Sequence, residues 1–370
     1  MELLFILPLL FAGVLVDALS NDDSDDDDDT PENESWTGTD GPDIHSGGAG
    51  DDTLLGLDGD DSLSGGRGDD HIEGGGGNDT VRGEHGDDHL SGGEGDDLIL
   101  GWSGDDTLIG DEGDDILKAG SGDDRVFGGD GSDTVNGGFG SDEIFGGNGD
   151  DSIMGGGDAD TLRGGAGNDS MAGDDYSGQN QADDLMTGDA GDDSMRGDGG
   201  NDTLYGGADR DSLNGGAGND LLYGGAGDDY IVDMDGADTL YGGAGGDFLY
   251  ARDIIPGAGN SDVLYGGLGH DTLTGDNGDT LTGGAGRDSF IVDYDSINNE
   301  DGAPVVITDL AANEALQVQI YEPLTSQALR IAENGTDTEV VVNGDVVAVI
   351  SGRTDVTFDL ITIEAPTWVQ

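Results

Sequence analysis

From Gly38 to Ala172 the chain repeats one nine-residue pattern fifteen times without a phase slip. The copy Gly47-Gly48-Ala49-Gly50-Asp51-Asp52-Thr53-Leu54-Leu55 shows the rule: glycine at position 1 and usually at 2 and 4, Asp at position 6, and an aliphatic residue at position 8. A strict short period constrains a fold more than local propensity does. Each copy must be one unit of a stack, because no single copy can bury its apolar residue alone. Composition by itself argues for disorder, with 75 glycines and a net charge of −72 in 370 residues. Register overrules it, since a disordered linker has no reason to hold Asp in step.

The pattern continues past Ala172. A fifteen-residue unit, 173–187, ends in phase with Asp184 and Met186, and seven regular copies run on to Tyr250. A second fifteen-residue unit, 251–265, ends in phase with Asp262 and Leu264. One regular copy, an eight-residue copy (275–282) and a last regular copy complete an array over 38–291 with 27 units. Both six-residue insertions are expected to be surface loops, as insertions in a solenoid usually are. The sixth slots hold Asp43, Asp52, Asp61, Asp70, Asp79, Asp88, Asp97, Asp106, Asp115, Asp124, Asp133, Asp142, Asp151 and Asp160. Asp169, Asp184, Asp193, Asp202, Asp211, Asp220, Asp229, Asp238, Asp247, Asp262, Asp271, Asp279 and Asp288 follow. The first copy carries His45 at position 8 and reads as a frayed cap.

Glycines at positions 1, 2 and 4 permit positive φ, so the first six residues are expected to form a turn with inward carbonyls. The last three are expected to be extended, with position 8 facing the core and positions 7 and 9 facing out. An Asp at the end of such a turn joins a carboxylate to backbone carbonyls, the oxygen ligands that calcium prefers.

These residues resemble the RTX, or hemolysin-type, calcium-binding nonapeptide. The resemblance implies an all-β fold, a right-handed parallel β-roll with two nonapeptides per coil. It also implies calcium held between the turns of copies n and n+2, pairing Asp52 with Asp70, Asp61 with Asp79, and so on through 25 pairs. About 20 to 25 ions would bring roughly +40 to +50 against the acidic charge, so folding and binding would be one event.

The flanks differ. Residues 1–19 include the apolar run Leu3–Val16, which suits a secretory signal peptide or a membrane anchor; its lack of Lys or Arg argues against the first and its shortness against the second. Residues 20–37 read as an acidic linker. Residues 292–370 lose glycine and gain β-branched runs, with Asn343-Gly344 as a hairpin signal. They read as a mostly antiparallel β cap on the solenoid, and Val306-Ile307-Thr308-Asp309-Leu310 resembles the capping segment common after such repeats.

Composition also narrows function. The scarcity of Lys and Arg, 11 against 83 acidic residues, excludes a nucleic-acid partner. The absence of cysteine excludes disulfides and thiolate chemistry. No nucleophile elbow, His-Glu-x-x-His or phosphate loop occurs. The expectation is a secreted, extracellular, non-enzymatic calcium-binding protein. An adhesin or matrix role through glycan contact is the alternative, and a toxin-related role comes third. The alternative rests on position-9 ladders spaced one coil apart: Ile109, Phe127 and Phe145, and Tyr205, Tyr223, Tyr241 and Tyr265. Simple stacking explains these ladders more directly. His71 and His89 stand in the same relation at position 7.

Overall fold

The computed structural model describes residues 32–174, 182–252, 260–276, 278–294, 303–311, 314–320, 329–334, 337–342, 345–352 and 361–364. Among these, thirty-four strands follow one another, from β1 (Ser35–Thr37) to β34 (Ile361–Glu364), with no helix between them. A typical strand, β5 (His71–Gly76), has six residues, taken from positions 7–9 of one copy and 1–3 of the next. The expected three-residue strand is therefore too short. Positions 1–3 look like turn residues because glycine has little strand propensity, yet their backbone pairs with the neighbouring coil as Gly75↔Gly93.

Strands of odd number make one sheet of 18 with β32, and those of even number, through β30, make a second of 16 with β34. Within each sheet, β3 (Thr53–Asp58), β5 and β7 (His89–Glu94) pair in parallel, Thr53↔His71↔His89. The array is thus a parallel β-solenoid. Across the two long units the register steps further, Thr161↔Leu185 and Thr239↔Val263, and across the eight-residue copy it shortens to Val263↔Thr280. Frame is kept in all three places. The inserted segments themselves, expected to be loops, fall largely outside the described residues.

Position 8 fills the space between the sheets. Every such side chain from Leu54 to Phe290 is at most 3% exposed. Burying an aliphatic side chain contributes about 1.5–3 kcal/mol, so the column is the apolar spine of the fold.

The N-terminal end begins earlier than the repeat pattern suggests. Residues 32–37 belong to the stack rather than to an acidic linker, since β1 pairs with β3 as Ser35↔Thr53, Trp36↔Leu54 and Thr37↔Leu55. Glu34 takes the sixth slot, donating its N–H to Asp52 Oδ1 at 2.6 Å. Trp36 packs on the core and stacks on His45 with ring centroids 4.4 Å apart, while Glu34 holds the imidazole at 3.1 Å. His45 is therefore part of a built cap rather than a frayed end.

The C-terminal region also departs from expectation. β29 (Val305–Ile307) and β30 (Ala315–Ile320) extend the two sheets in parallel, and they pair in parallel with β33 (Asp345–Ile350) and β34. Only β31 (Leu329–Asn334), β32 (Asp337–Val342) and β33 form an antiparallel meander. A β-branched run carries no information about strand direction, so the hairpin signal was extended too far. The hairpin is nonetheless there, with Val342 paired to Asp345 across Asn343-Gly344.

Candidate metal-binding turns

Parallel stacking brings each position-6 Asp directly over its counterpart. The Asp43 N–H donates to Asp61 Oδ1, Asp52 to Asp70, and so on to Asp271 and Asp288, through 25 hydrogen bonds of 2.7–3.1 Å. All the pairs implied by the repeat are brought together, including those that span the insertions and the shortened copy. Except for Asp43, which is half-buried, the 27 carboxylates are buried.

The two oxygens of each carboxylate have different surroundings. Oδ1 is held by the N–H of the coil before it. Oδ2 is buried and, from Asp52 through Asp229 and again at Asp247, Asp271 and Asp288, accepts no hydrogen bond. It faces the position-1 glycine of its own copy. A Cβ built on Gly56 would lie 2.3 Å from Asp61 Oδ2 and 2.3 Å from the carbonyl oxygen of Gly74, one coil on. Gly110 and Gly128 stand in the same relation to Asp115 and Asp133. Although Ala119 fits its methyl there, position 1 is glycine in most copies because two oxygens converge where a side chain would be. Its φ is not positive, contrary to the sequence reading, whereas positions 2 and 4 are, as at Gly66 (118°) and Gly68 (119°).

Such orphaned carboxylate oxygens are expensive in the absence of a counter-ion. Burial pushes the carboxyls of Asp124, Asp160 and Asp202 up to about 8 and those of Asp88, Asp97 and Asp151 up to about 7. An N–H hydrogen bond offsets part of this, and the carboxylates one coil above and below add to it. Oxygen-only donors, an unpartnered carboxylate oxygen and a converging carbonyl fit a hard divalent cation such as calcium.

Position 5 was not recognised from sequence. The side chain of Asp51 accepts the Asp69 N–H at 3.1 Å, Asp69 accepts that of Asp87 at 3.0 Å, and Asn201 accepts that of Asn219 at 3.0 Å. This exposed ladder runs in the opposite sense to the buried one. The sequence signal for it is the adjacent Asp-Asp or Asn-Asp pair in 16 of the 27 units.

Three units lack glycine at position 1: Ala119 and Ala251 keep it small, and one copy makes it charged. Asp233 replaces the glycine, is fully buried, and lies with Asp220 and Asp238 so that one oxygen from each falls within 4.8 Å of the others. Its carboxyl is pushed up to about 9 by burial and then by Asp238 and Asp220.

The position-9 and position-7 ladders stack. Phe127 and Phe145 lie 5.2 Å apart between centroids, and the four tyrosines from Tyr205 to Tyr265 lie 4.7–4.9 Å apart within 7° of parallel. Tyr223 and Tyr241 therefore have both faces covered. His71 and His89 stack at 5.0 Å, and His71 Nε2 also contacts Glu73.

Among the described residues no helix is long and apolar enough to cross a membrane, and the apolar run at Leu3–Val16 lies outside them. No curated protein matches the sequence. Among solved structures, the extracellular lipase LipA from Serratia marcescens is similar over 71% of this chain and 40% of the lipase, at 17% identity and a TM-score of 0.22. Nothing about activity follows from a likeness at that level. The family model described as RTX calcium-binding nonapeptide repeat (4 copies) matches residues 37–72, 73–108, 109–144, 145–175, 180–213, 205–232, 223–253 and 256–290. With well over half of its length matched, and a parallel coil for every two repeats, this chain belongs to the RTX calcium-binding repeat family.

Proposed function

We propose that the chain is an extracellular binding protein whose array folds on taking up many calcium ions between stacked turns. The observation that carries this reading is the file of buried, unpartnered Oδ2 atoms, many of them beside a carbonyl in a space too small for a Cβ. Asp52 through Asp288 would supply carboxylate oxygens, and the position-1 glycines would supply carbonyls. When bound, calcium offsets the negative charge that opposes stacking. The side chains do the rest: Oδ1 fixes each carboxylate to the coil before it, and position 8 closes the core.

Because the ion stabilises the folded form only, binding and folding are linked, and the switch is thrown by calcium concentration. Extracellular modules of this chemistry work at about 0.1–1 mM, which suits a chain unfolded where calcium is scarce and rigid outside the cell. On this reading the array binds and stiffens rather than catalyses. A glycan-binding role through the tyrosines is less well supported, since sugar stacking needs a free ring face.

The test is far-UV circular dichroism of the full chain titrated with calcium and then with excess chelator. A cooperative, reversible gain of β signal below millimolar calcium is expected. An unchanged spectrum would remove both the switch and the position-6 assignment.

A further inference from the structure

The copy that begins at Asp233 differs from the others where the cation chemistry is concentrated. In many coils the space beside a position-1 glycine is bordered by a position-6 Oδ2 and by the next coil's position-1 carbonyl. Gly206 shows this, with Asp211 Oδ2 at 2.3 Å and Gly224 O at 2.5 Å from a built Cβ. Beside Gly215 the second oxygen is replaced. Asp233 Oδ2 lies 2.1 Å and Asp220 Oδ2 2.5 Å from the corresponding point. A charged oxygen thus stands where other coils offer a neutral one.

Two further observations show that this is a formed site. Asp233 Oδ1 is fixed by the N–H groups of Met234 at 2.8 Å and Gly216 at 3.4 Å, which aims Oδ2 into the space. Asp233 is 0% exposed and Asp220 2%, and no hydrogen bond reaches either Oδ2. Asp238 closes the group from the next coil, its Oδ1 accepting the Asp220 N–H at 2.9 Å. Among the described residues this is the one place where three acidic ligands come within 4.8 Å of one another. The strand adjusts to it: β22 (Tyr230–Asp233) stops at four residues, and the chain returns to register at Asp235, bridged to Ala217.

We propose that Asp233 joins the repeat pair Asp220 and Asp238 in a three-carboxylate calcium site that binds its ion most tightly and loads first. It rests on the calcium reading of the array. Affinity in oxygen-ligand sites rises with the number of charged ligands and with rigidity. Here a second carboxylate, already held by two N–H groups, enters the space beside Gly215. A first ion at this point ties together the coils on either side, so the site is the place from which the array closes outward.

The experiment is a calorimetric calcium titration of the full chain, with a competing chelator to resolve tight binding. Wild type is compared with Asp233→Gly, which restores the residue that the repeat itself uses, and with Asp233→Asn, which keeps the shape and removes the charge. Wild type is expected to bind about one ion at least tenfold more tightly than the remainder. Both variants are expected to lose that class, with the Gly variant keeping the full ion count and the wild-type spectrum at saturating calcium. A wild-type array that loads as a single class would overturn the inference, as would a tight class that persists in both variants. Either result would leave the calcium reading of the repeats intact. Failure of wild type to bind any calcium would overturn both.

Discussion

The array and the strands that follow it share two sheets but are held together by different means. In the array each nine-residue copy gives one side chain to the core, and each coil also buries carboxylates with an oxygen left unpaired. After Val292 the buried set is almost wholly apolar: Val305, Ile307, Leu310, Leu316, Val318, Val340, Val341, Val347 and Ile350. On the proposed reading the first region needs a cation to be stable, whereas the second rests on the C-terminal end of the same apolar core. The same parallel ladder would then be conditional in one part of a molecule and constitutive in the next.

Removing calcium should separate the two most sharply. In excess chelator, amide hydrogen exchange is expected to lose protection across Thr53–Phe290 while Val305–Ile307 and Thr338–Ile350 keep theirs. Equal loss in both regions would show that the C-terminal strands depend on the array.

Acid should stand in for calcium, and only in the array. The raised carboxyls mean that the calcium-free fold binds more protons than the unfolded chain between about pH 4 and pH 8. The stabilisation from protonation is complete below the unfolded value of about 4 and is lost as pH rises through about 6 to 8. Circular dichroism in chelator should thus show β structure returning as pH falls from 8 towards 5. Calcium uptake at pH 7 should release protons, measurable as a buffer-dependent heat.

Core truncation gives a smaller and more even effect. Leu117→Ala and Ile307→Ala should each cost about 2–5 kcal/mol in denaturant unfolding. The first should register only with calcium present and the second with or without it. Below that lies Gly128→Ala, whose Cβ would meet Asp133 Oδ2 at 2.3 Å and Gly146 O at 2.4 Å. It is expected to cost about 1–3 kcal/mol and roughly one ion per chain, with no contribution from positive φ. The smallest change is Tyr223→Ala, where a lost stacking partner should cost about 0.5–1.5 kcal/mol in the calcium-loaded form. A larger loss there, or a change in calcium count, would give the tyrosine ladder a role in the sites themselves.

Much of this was legible in the repeat. The spacing placed position 8 in the core and put every position-6 Asp one coil from its partner, including Asp279 after the shortened copy. Other features had no local signal. Ser35-Trp36-Thr37 lacks the glycines that mark a copy, and only pairing with Thr53-Leu54-Leu55 reveals it as one. Asp233 stands at position 1 in place of glycine, but its proximity to Asp220 and Asp238 depends on which coils stack. The direction of the C-terminal strands was not readable, because β-branched residues suit parallel and antiparallel ladders alike.

By itself the sequence determined the period, the inward column of aliphatic residues and the family, because a strict repeat can satisfy its apolar positions only by stacking in register. Tertiary structure decided which oxygen of each Asp is held and which is left for a cation. It also decided why position 1 is glycine in most copies and where a third carboxylate enters. These are matters of distance between atoms one coil apart, and no spacing along a single chain contains that distance.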